Sequence, residues 1–203
     1  ESTGNHGHLF FSTLWPGYSM SQGHPMRRKD RCLSDEDSLR ILSEGEYGVL
    51  SSVGVDGTPY GVPISYAYVP GATIGTECAD CGAIYMHSAL RGHKIDNLQA
   101  YDGGVPVSFC VVGKTQLLPD IFSTNYESVI VRGIARVYQT KGVSPDDKEE
   151  VGAEMTKGLR AIVAKYSPAH VESGDQAIAQ KMSRVAVIKV DVTSITAKGR
   201  QPR

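Results

Sequence analysis

Tyr47-Gly48-Val49-Leu50-Ser51-Ser52-Val53 is followed by Gly54-Val55-Asp56-Gly57-Thr58-Pro59 and then by Tyr60-Gly61-Val62-Pro63-Ile64-Ser65-Tyr66-Ala67-Tyr68-Val69. The first and last of these runs are rich in β-branched and aromatic residues, and Asp56-Gly57 between them is a hairpin signal. The two runs are therefore read as antiparallel neighbours. Along the second run Tyr60, Val62, Ile64, Tyr66 and Tyr68 fall on one face of a strand. Gly61, Pro63, Ser65 and Ala67 fall on the other, which is unusually small. Pro63 cannot donate to a ladder, so it marks an edge, a bulge or a diverted hydrogen bond. A small, smooth face suits a flat ring lying against the backbone, and it suits close sheet packing equally well.

The pattern extends in both directions. Upstream, Ser34-Asp35-Glu36-Asp37 reads as a capped helix start, with Leu39, Ile41 and Leu42 as its apolar face and Gly45 near its end. Downstream, strands are expected from Ile84, over Val105 to Val112, over Ser128 to Tyr138, and over Val185 to Val192. Helices are expected from Pro145 to about Tyr166, with Met155, Leu159, Ile162 and Val163 as the buried stripe, and from Asp175 to Met182. Hairpin-linked strands with few crossovers point to a mainly β chain with peripheral helices, an antiparallel barrel rather than a parallel doubly wound sheet.

The chain of 203 residues is 40% hydrophobic, enough for one core, so residues 26–203 are read as one domain. Residues 1–25, rich in Gly, Ser and His, read as an N-terminal extension, flexible or introduced by cloning. The formal net charge of −1 gives no support for a nucleic-acid or anionic-membrane partner. No apolar run reaches the ~20 residues that cross a bilayer, and Leu9 to Trp15 makes a poor signal peptide. Four cysteines do not make a disulfide scaffold, and a cytoplasmic location is the simplest expectation. Cys78-Ala79-Asp80-Cys81 has CxxC spacing, but no second CxxC and no following helix accompany it. No metal or redox role is assigned to it, and a disulfide in this loop is left open.

The chemistry concentrates in Ile84-Tyr85-Met86-His87-Ser88-Ala89-Leu90-Arg91-Gly92-His93-Lys94-Ile95-Asp96-Asn97-Leu98. A β-type run feeds a turn that opens a helix, with Arg91, His93 and Lys94 at its start. Cations there oppose the helix dipole, so their presence wants another reason. Free N–H groups, a Ser hydroxyl and several cations together form a phosphate cradle, and Gly92 lets the backbone approach a ligand. A solvated basic turn is the plain alternative.

Three blocks then carry a family resemblance. They are Tyr47 to Leu50 with Asp56 to Pro63; Tyr85 to Ala89 with Gly92-His93-Lys94 and Asn97-Leu98; and Asn125 to Ile130 with Gly133. In consistent order from Met26 to Lys198, the chain resembles the pyridoxamine-phosphate-oxidase-like split-barrel flavoproteins, most of all the nitroimidazole-reductase (Nim) branch. The resemblance implies a six-stranded antiparallel split β-barrel and a homodimer with FMN between the subunits. It places Val62, Pro63, Ile64, Ser65 and Tyr66 along the flavin ring, and His87, Ser88 and Ala89 at the ribityl chain or phosphate. Gly92, His93 and Lys94 would hold the phosphate, and Ser128 would touch the flavin from a neighbouring strand. Where the family has a Gly-Lys pair near the C-terminus, this chain has Thr196-Ala197-Lys198-Gly199, which leaves Lys198 without an assigned role. An arginine-rich substrate-phosphate cluster is not found, so vitamin B6 oxidation is not the reading adopted.

The implied activity is flavin-dependent reduction of a small oxidised acceptor such as a nitroaromatic, with NADH or NADPH as electron donor and His87 as candidate proton donor. A flavin-binding or storage protein, or a split barrel holding haem or a deazaflavin, would need much of the same sequence.

Overall fold

The computed structural model describes residues 26–75 and 80–200; the extension at 1–25 and Cys78 lie outside the described residues. Helix α1 (Asp35–Glu44) starts at Ser34, whose hydroxyl accepts the Asp37 N–H, and stops at Gly45. Strands β1 (Gly48–Val53) and β2 (Pro59–Ile64) form the expected hairpin, with Gly48 opposite Ile64 and Val53 opposite Pro59. The loop between them is closed by Gly57 N–H to the Gly54 carbonyl, and the Asp56 carboxylate accepts the Thr58 N–H. That contact holds the Asp56 carboxyl below its usual range.

The expected strand from Tyr60 to Val69 is corrected: it is two strands. β2 ends at Ile64, and β3 (Ala67–Val69) begins after a two-residue joint, Ser65-Tyr66. The remaining elements are β4 (Ala83–Ser88), α2 (His93–Leu98), β5 (Val105–Leu118), β6 (Ser123–Tyr138), α3 (Lys148–Tyr166), α4 (Val171–Lys181) and β7 (Ala186–Arg200). The strands form one antiparallel sheet in the order β2-β1-β5-β6-β7-β4-β3. The expected count of six thus becomes seven among the described residues, because the joint divides one run. β2 and β3 are the two outer strands of the sheet, yet only two residues separate them in sequence. The sheet must curl until its edges approach, without the edges pairing. This is a split barrel.

Inward-facing side chains fill it, among them Leu50, Ile84, Met86, Phe109, Val111, Val129, Val131, Ile188 and Val190. Helix α1 adds Ile41 and Leu42, and α2 adds Ile95 and Leu98. β4 is buried on both faces from Ala83 to Met86, because Tyr85 packs outward against Met155 of α3. β7 runs eight residues past its expected end at Val192, so Thr196-Ala197-Lys198-Gly199 is strand and Lys198 lies opposite Ser128.

The joint has a specific anchor. The Tyr66 ring is fully buried, its hydroxyl donates to the Leu42 carbonyl (2.8 Å), and its edge meets Phe109 at 4.8 Å. The Tyr166 hydroxyl, at the end of α3, accepts the Tyr66 N–H (2.9 Å) and lies within hydrogen-bond distance of the Glu46 (2.5 Å) and Tyr66 (2.9 Å) carbonyls. Lys165 places its ammonium 3.7 Å from the centre of the Tyr66 ring, and burial pushes its pKa down to about 8. A second anchor is Glu127 on β6, whose carboxylate is gripped by both terminal nitrogens of Arg40 (2.6 and 3.0 Å) and accepts the Lys114 N–H (3.0 Å).

Each anchor predicts a stability change. Tyr166→Phe removes the hydroxyl that joins α3 to the backbone polar atoms of Tyr66 and Glu46; because Tyr166 is partly exposed, water offsets some of the loss, and urea unfolding should show a loss of about 1 kcal/mol. Glu127→Gln should cost about 1–3 kcal/mol at pH 7, since it leaves Arg40 poorly matched in a partly buried setting. Arg40 depresses the Glu127 pKa, so this contribution is present above the unfolded carboxylate range and disappears as pH falls through the lower, folded value. A Glu127→Gln deficit that is unchanged in strong acid would contradict that assignment.

Candidate functional site

A cleft of about 500 Å3 opens where the barrel is split. One wall is the outer strand β2, which contributes Tyr60 and Val62. The other is the connection from β4 to α2, which contributes His87, Ser88, Ala89, Arg91, Gly92, His93 and Lys94. Ile95 and Val185 complete it. Residues distant in sequence face each other because the joint brings β2 round to the neighbourhood of β4.

Local sequence explains the second wall. β4 pairs with β7 through Ser88 opposite Ala186, and there the ladder ends. Gly92 has φ 128° and ψ 164°, a conformation that side chains rarely adopt, and it caps α2 without a side-chain hydrogen bond. Helix α2 is only six residues long, so its dipole is small, and the cationic side chains rather than the helix supply the positive field. It is held by Ile95 and Leu98 in the core and by the Asn97 amide, which donates to the Ser52 hydroxyl (3.4 Å). Arg91 precedes the helix instead of lying in its first turn.

Among the described residues no carboxylate lies within ion-pair distance of Arg91 or Lys94. Lys94 is half-buried, and that burial pushes its pKa down. A desolvated ammonium without a counter-charge gains most from an incoming anion. The His93 ring packs on Tyr60 with centroids 4.2 Å apart, bridging the two walls.

The structure gathers His87, Ser88, Ala89, Gly92, His93, Lys94 and Val62 around one cleft. It does not bring the rest of the expected ring-contacting segment there. Pro63 points to the exposed outer face of the sheet, Ile64 packs inward on the core, and Ser65 is exposed at the joint. Tyr66 is buried in the core, and its backbone N–H and carbonyl already meet the Tyr166 hydroxyl. Ser128 lies on the outer sheet face between Val112 and Lys198. Arg91, one of the cations of the expected cradle, lines the cleft as well, and so do Tyr60, Ile95 and Val185, which were not among the expected site residues. Tyr60 shares a strand face with Val62, so the two-residue period carried that signal. Val185 comes from a distant strand start and had no local signal. In the loop before β4, Cys81 is buried and disulfide-bonded, whereas Cys32 and Cys110 are free.

The residues present fit a flavin phosphate. The cleft volume lies within the ~300–1,000 Å3 typical of small-molecule sites. It combines unpaired cations and a hydroxyl at one end with Tyr60 and Val62 as flatter, less polar wall.

Comparison with known proteins agrees with the fold. The chain is similar to the crystal structure of a putative 5-nitroimidazole antibiotic resistance protein from Bacteroides thetaiotaomicron, at 21% identity and TM-score 0.58, over 82% of this chain and 84% of that one. It is similar to a conserved hypothetical protein from Mycobacterium tuberculosis, at 15% identity and TM-score 0.61, over 86% and 90% of the chains. It is also similar to the flavocytochrome Anf3 from Azotobacter vinelandii, at 20% identity and TM-score 0.61, over 88% and 73%. No curated protein sequence matches it. The family model described as pyridoxamine 5′-phosphate oxidase matches residues 34–199, nearly the whole of the described sheet and its helices: the chain is a member of the pyridoxamine 5′-phosphate oxidase family.

Proposed function

We propose that this protein is an FMN-binding reductase of small oxidised acceptors, nitroaromatics among them, working as a homodimer. The observation that carries the reading is the cleft in which Arg91 and Lys94, cations without carboxylate partners, share a wall with His87, Ser88 and Gly92 and face Tyr60 and Val62. Lys94 and Arg91 would hold the phosphate, with the Ser88 hydroxyl and the exposed Gly92 backbone beside them. Val62 and the Tyr60–His93 ring pair would border the less polar part of the cofactor. Bound FMN supplies two-electron chemistry that no side chain in the cleft possesses.

For a nitro acceptor the balance is R–NO2 + NAD(P)H + H+ → R–NO + NAD(P)+ + H2O. The protein's share is to orient the acceptor and to deliver a proton to the departing oxygen. His87 is exposed at the cleft wall and is the side chain placed to deliver it. The putative nitroimidazole resistance protein among the similar structures makes a 5-nitroimidazole a sensible first acceptor to try.

The phosphate contact is separable from the rest. Lys94→Ala should weaken FMN by about 10–100-fold, the equivalent of ~1.5–3 kcal/mol for a charge-assisted contact, while leaving riboflavin, which lacks the phosphate, nearly unchanged. Equal FMN affinity in the variant and the parent would refute the cradle. With FMN bound and NADH or NADPH supplied without oxygen, His87→Asn should keep most of its flavin and lose about 100-fold or more in nitro-reduction turnover. Full turnover in that variant would remove His87 from proton delivery, and a parent protein whose flavin is never reduced would remove the reductase reading.

A further inference from the structure

Strand β6 outruns β5 at one end. The β5–β6 ladder begins with Val105 opposite Ala135, and β6 continues through Arg136, Val137 and Tyr138 paired only with β7. Among the described residues no strand takes the other edge of β6 there. The gap is walled instead by the end of α2, by the Tyr101–Gly104 turn and by the loop that leads from β6 to Val151 of α3. These walls leave a second cavity of about 440 Å3, a size that suits a small molecule.

The turn is held flat on β6. Gly104 has φ 106°, and a Cβ there would stand 2.7 Å from Cγ2 of Ile134 and 2.8 Å from the Ala135 carbonyl oxygen, so the approach requires glycine. That close contact sets Tyr101 at the cavity wall, across from the end of β6.

The lining combines three kinds of group. Tyr101 and Tyr138, with Leu98, Val143 and Val151, give aromatic and aliphatic surface on which a flat ring can stack. Burial raises the pKa of the Tyr138 hydroxyl, which therefore stays neutral. Gln99 and Gln139 each bring an amide that both donates and accepts, as the edge of a nitrogen heterocycle does. Charge comes from Arg136, Lys141 and Asp102. The bond from Arg136 to Asp191 engages one terminal nitrogen of the guanidinium, and exposed Lys141 has no carboxylate within ion-pair distance among the described residues. Asp102, exposed on the turn, is the kind of group that accepts from ribose hydroxyls. A plain hydrocarbon would leave the cations and amides unused, and a bare anion would leave the tyrosines unused. A nucleotide uses all three.

This cavity is separate from the flavin cleft and adjoins it. Ile95 lines the cleft and Leu98 lines the cavity, about one turn, or ~5 Å, apart along α2. On the other side Tyr138 lies opposite Val187, two residues from Val185 of the cleft. A ligand with two halves can therefore have one in each.

We propose that the cavity between α2 and the end of β6 binds a nucleoside monophosphate group, with its base on Tyr101 and Tyr138, its ribose at Asp102 and its phosphate at Arg136 and Lys141. The group is either the nucleotide half of NADH or NADPH or a free nucleotide. Only the assignment to the electron donor rests on the reductase reading above.

The test uses the full chain and AMP, the half that NADH and NADPH share. Isothermal titration should show AMP binding with FMN absent and with FMN present. Lys141→Glu, a change on an exposed side chain, should raise the AMP dissociation constant about tenfold or more, through loss of a charge-assisted phosphate contact, and leave that of FMN unchanged. A chain that binds no AMP overturns the proposal. So does AMP binding that Lys141→Glu leaves intact, or that FMN displaces, because the nucleotide then sits elsewhere. If Lys141→Glu fails to fold, photolabelling with 8-azido-AMP decides: label within residues 98–104 or 136–143 supports the site, and label confined to other residues overturns it. In flavin reduction assays, AMP that competes with the donor identifies the donor's nucleotide half, and AMP that binds without competing identifies a free nucleotide; both support the site. A chain that binds AMP through Lys141 but never binds FMN refutes the flavin reading and leaves this site standing.

Discussion

Everything about the site depends on the two residues Ser65 and Tyr66. They join the outermost strands of a seven-stranded sheet, and a joint so short forces the sheet to curl until those strands are near neighbours. Tyr66 makes the joint durable by turning its ring into the core and donating to the Leu42 carbonyl. Tyr166 adds a hydroxyl placed for three backbone polar atoms of two segments. Because β2 is handed from β1 to the joint, its far edge has no ladder partner in the sheet. That free edge becomes a wall of the cleft.

The helices are fixed by charge as well as by burial. Tyr85, fully buried on β4, donates to Glu154 of α3, which also pairs with Lys189 of β7; Lys189 reaches Asp191, and Asp191 pairs with Arg136 of β6. Alternating signs along this chain let each charge find a partner while α3 lies on the sheet, and the burial of Tyr85 beside Glu154 raises the pKa of its hydroxyl. Arg40 and Glu127 tie α1 to β6 in the same manner. Arg91 and Lys94 at the cleft have no such carboxylate partner among the described residues.

Much of this was legible in the chain. The Asp56-Gly57 hairpin, the capped start of α1 at Ser34 and the cationic run after β4 are short-range signals, and short-range physics produces them. The run from Tyr60 to Val69 misled because a period of two says which face a residue occupies, not whether the strand stays in one sheet position. Tyr66 continues the alternation yet belongs to a joint, since the energy that breaks the strand comes from Leu42, Phe109 and Tyr166, all far away in sequence. For the same reason Ile64 and Tyr66 lie in or against the core, and Pro63 and Ser128 lie on the outer face.

By itself the sequence determined most of the elements, their antiparallel pairing and the cationic run that follows β4. These follow from turn residues, periodicity and the kinds of side chain that sit together along the backbone. Only the tertiary structure decided which of those residues share a cleft and that Tyr60 and Val185 join them. Each of these depends on how a curled sheet brings distant segments to one place, and no local pattern of residues encodes a curvature that is set by contacts across the whole barrel.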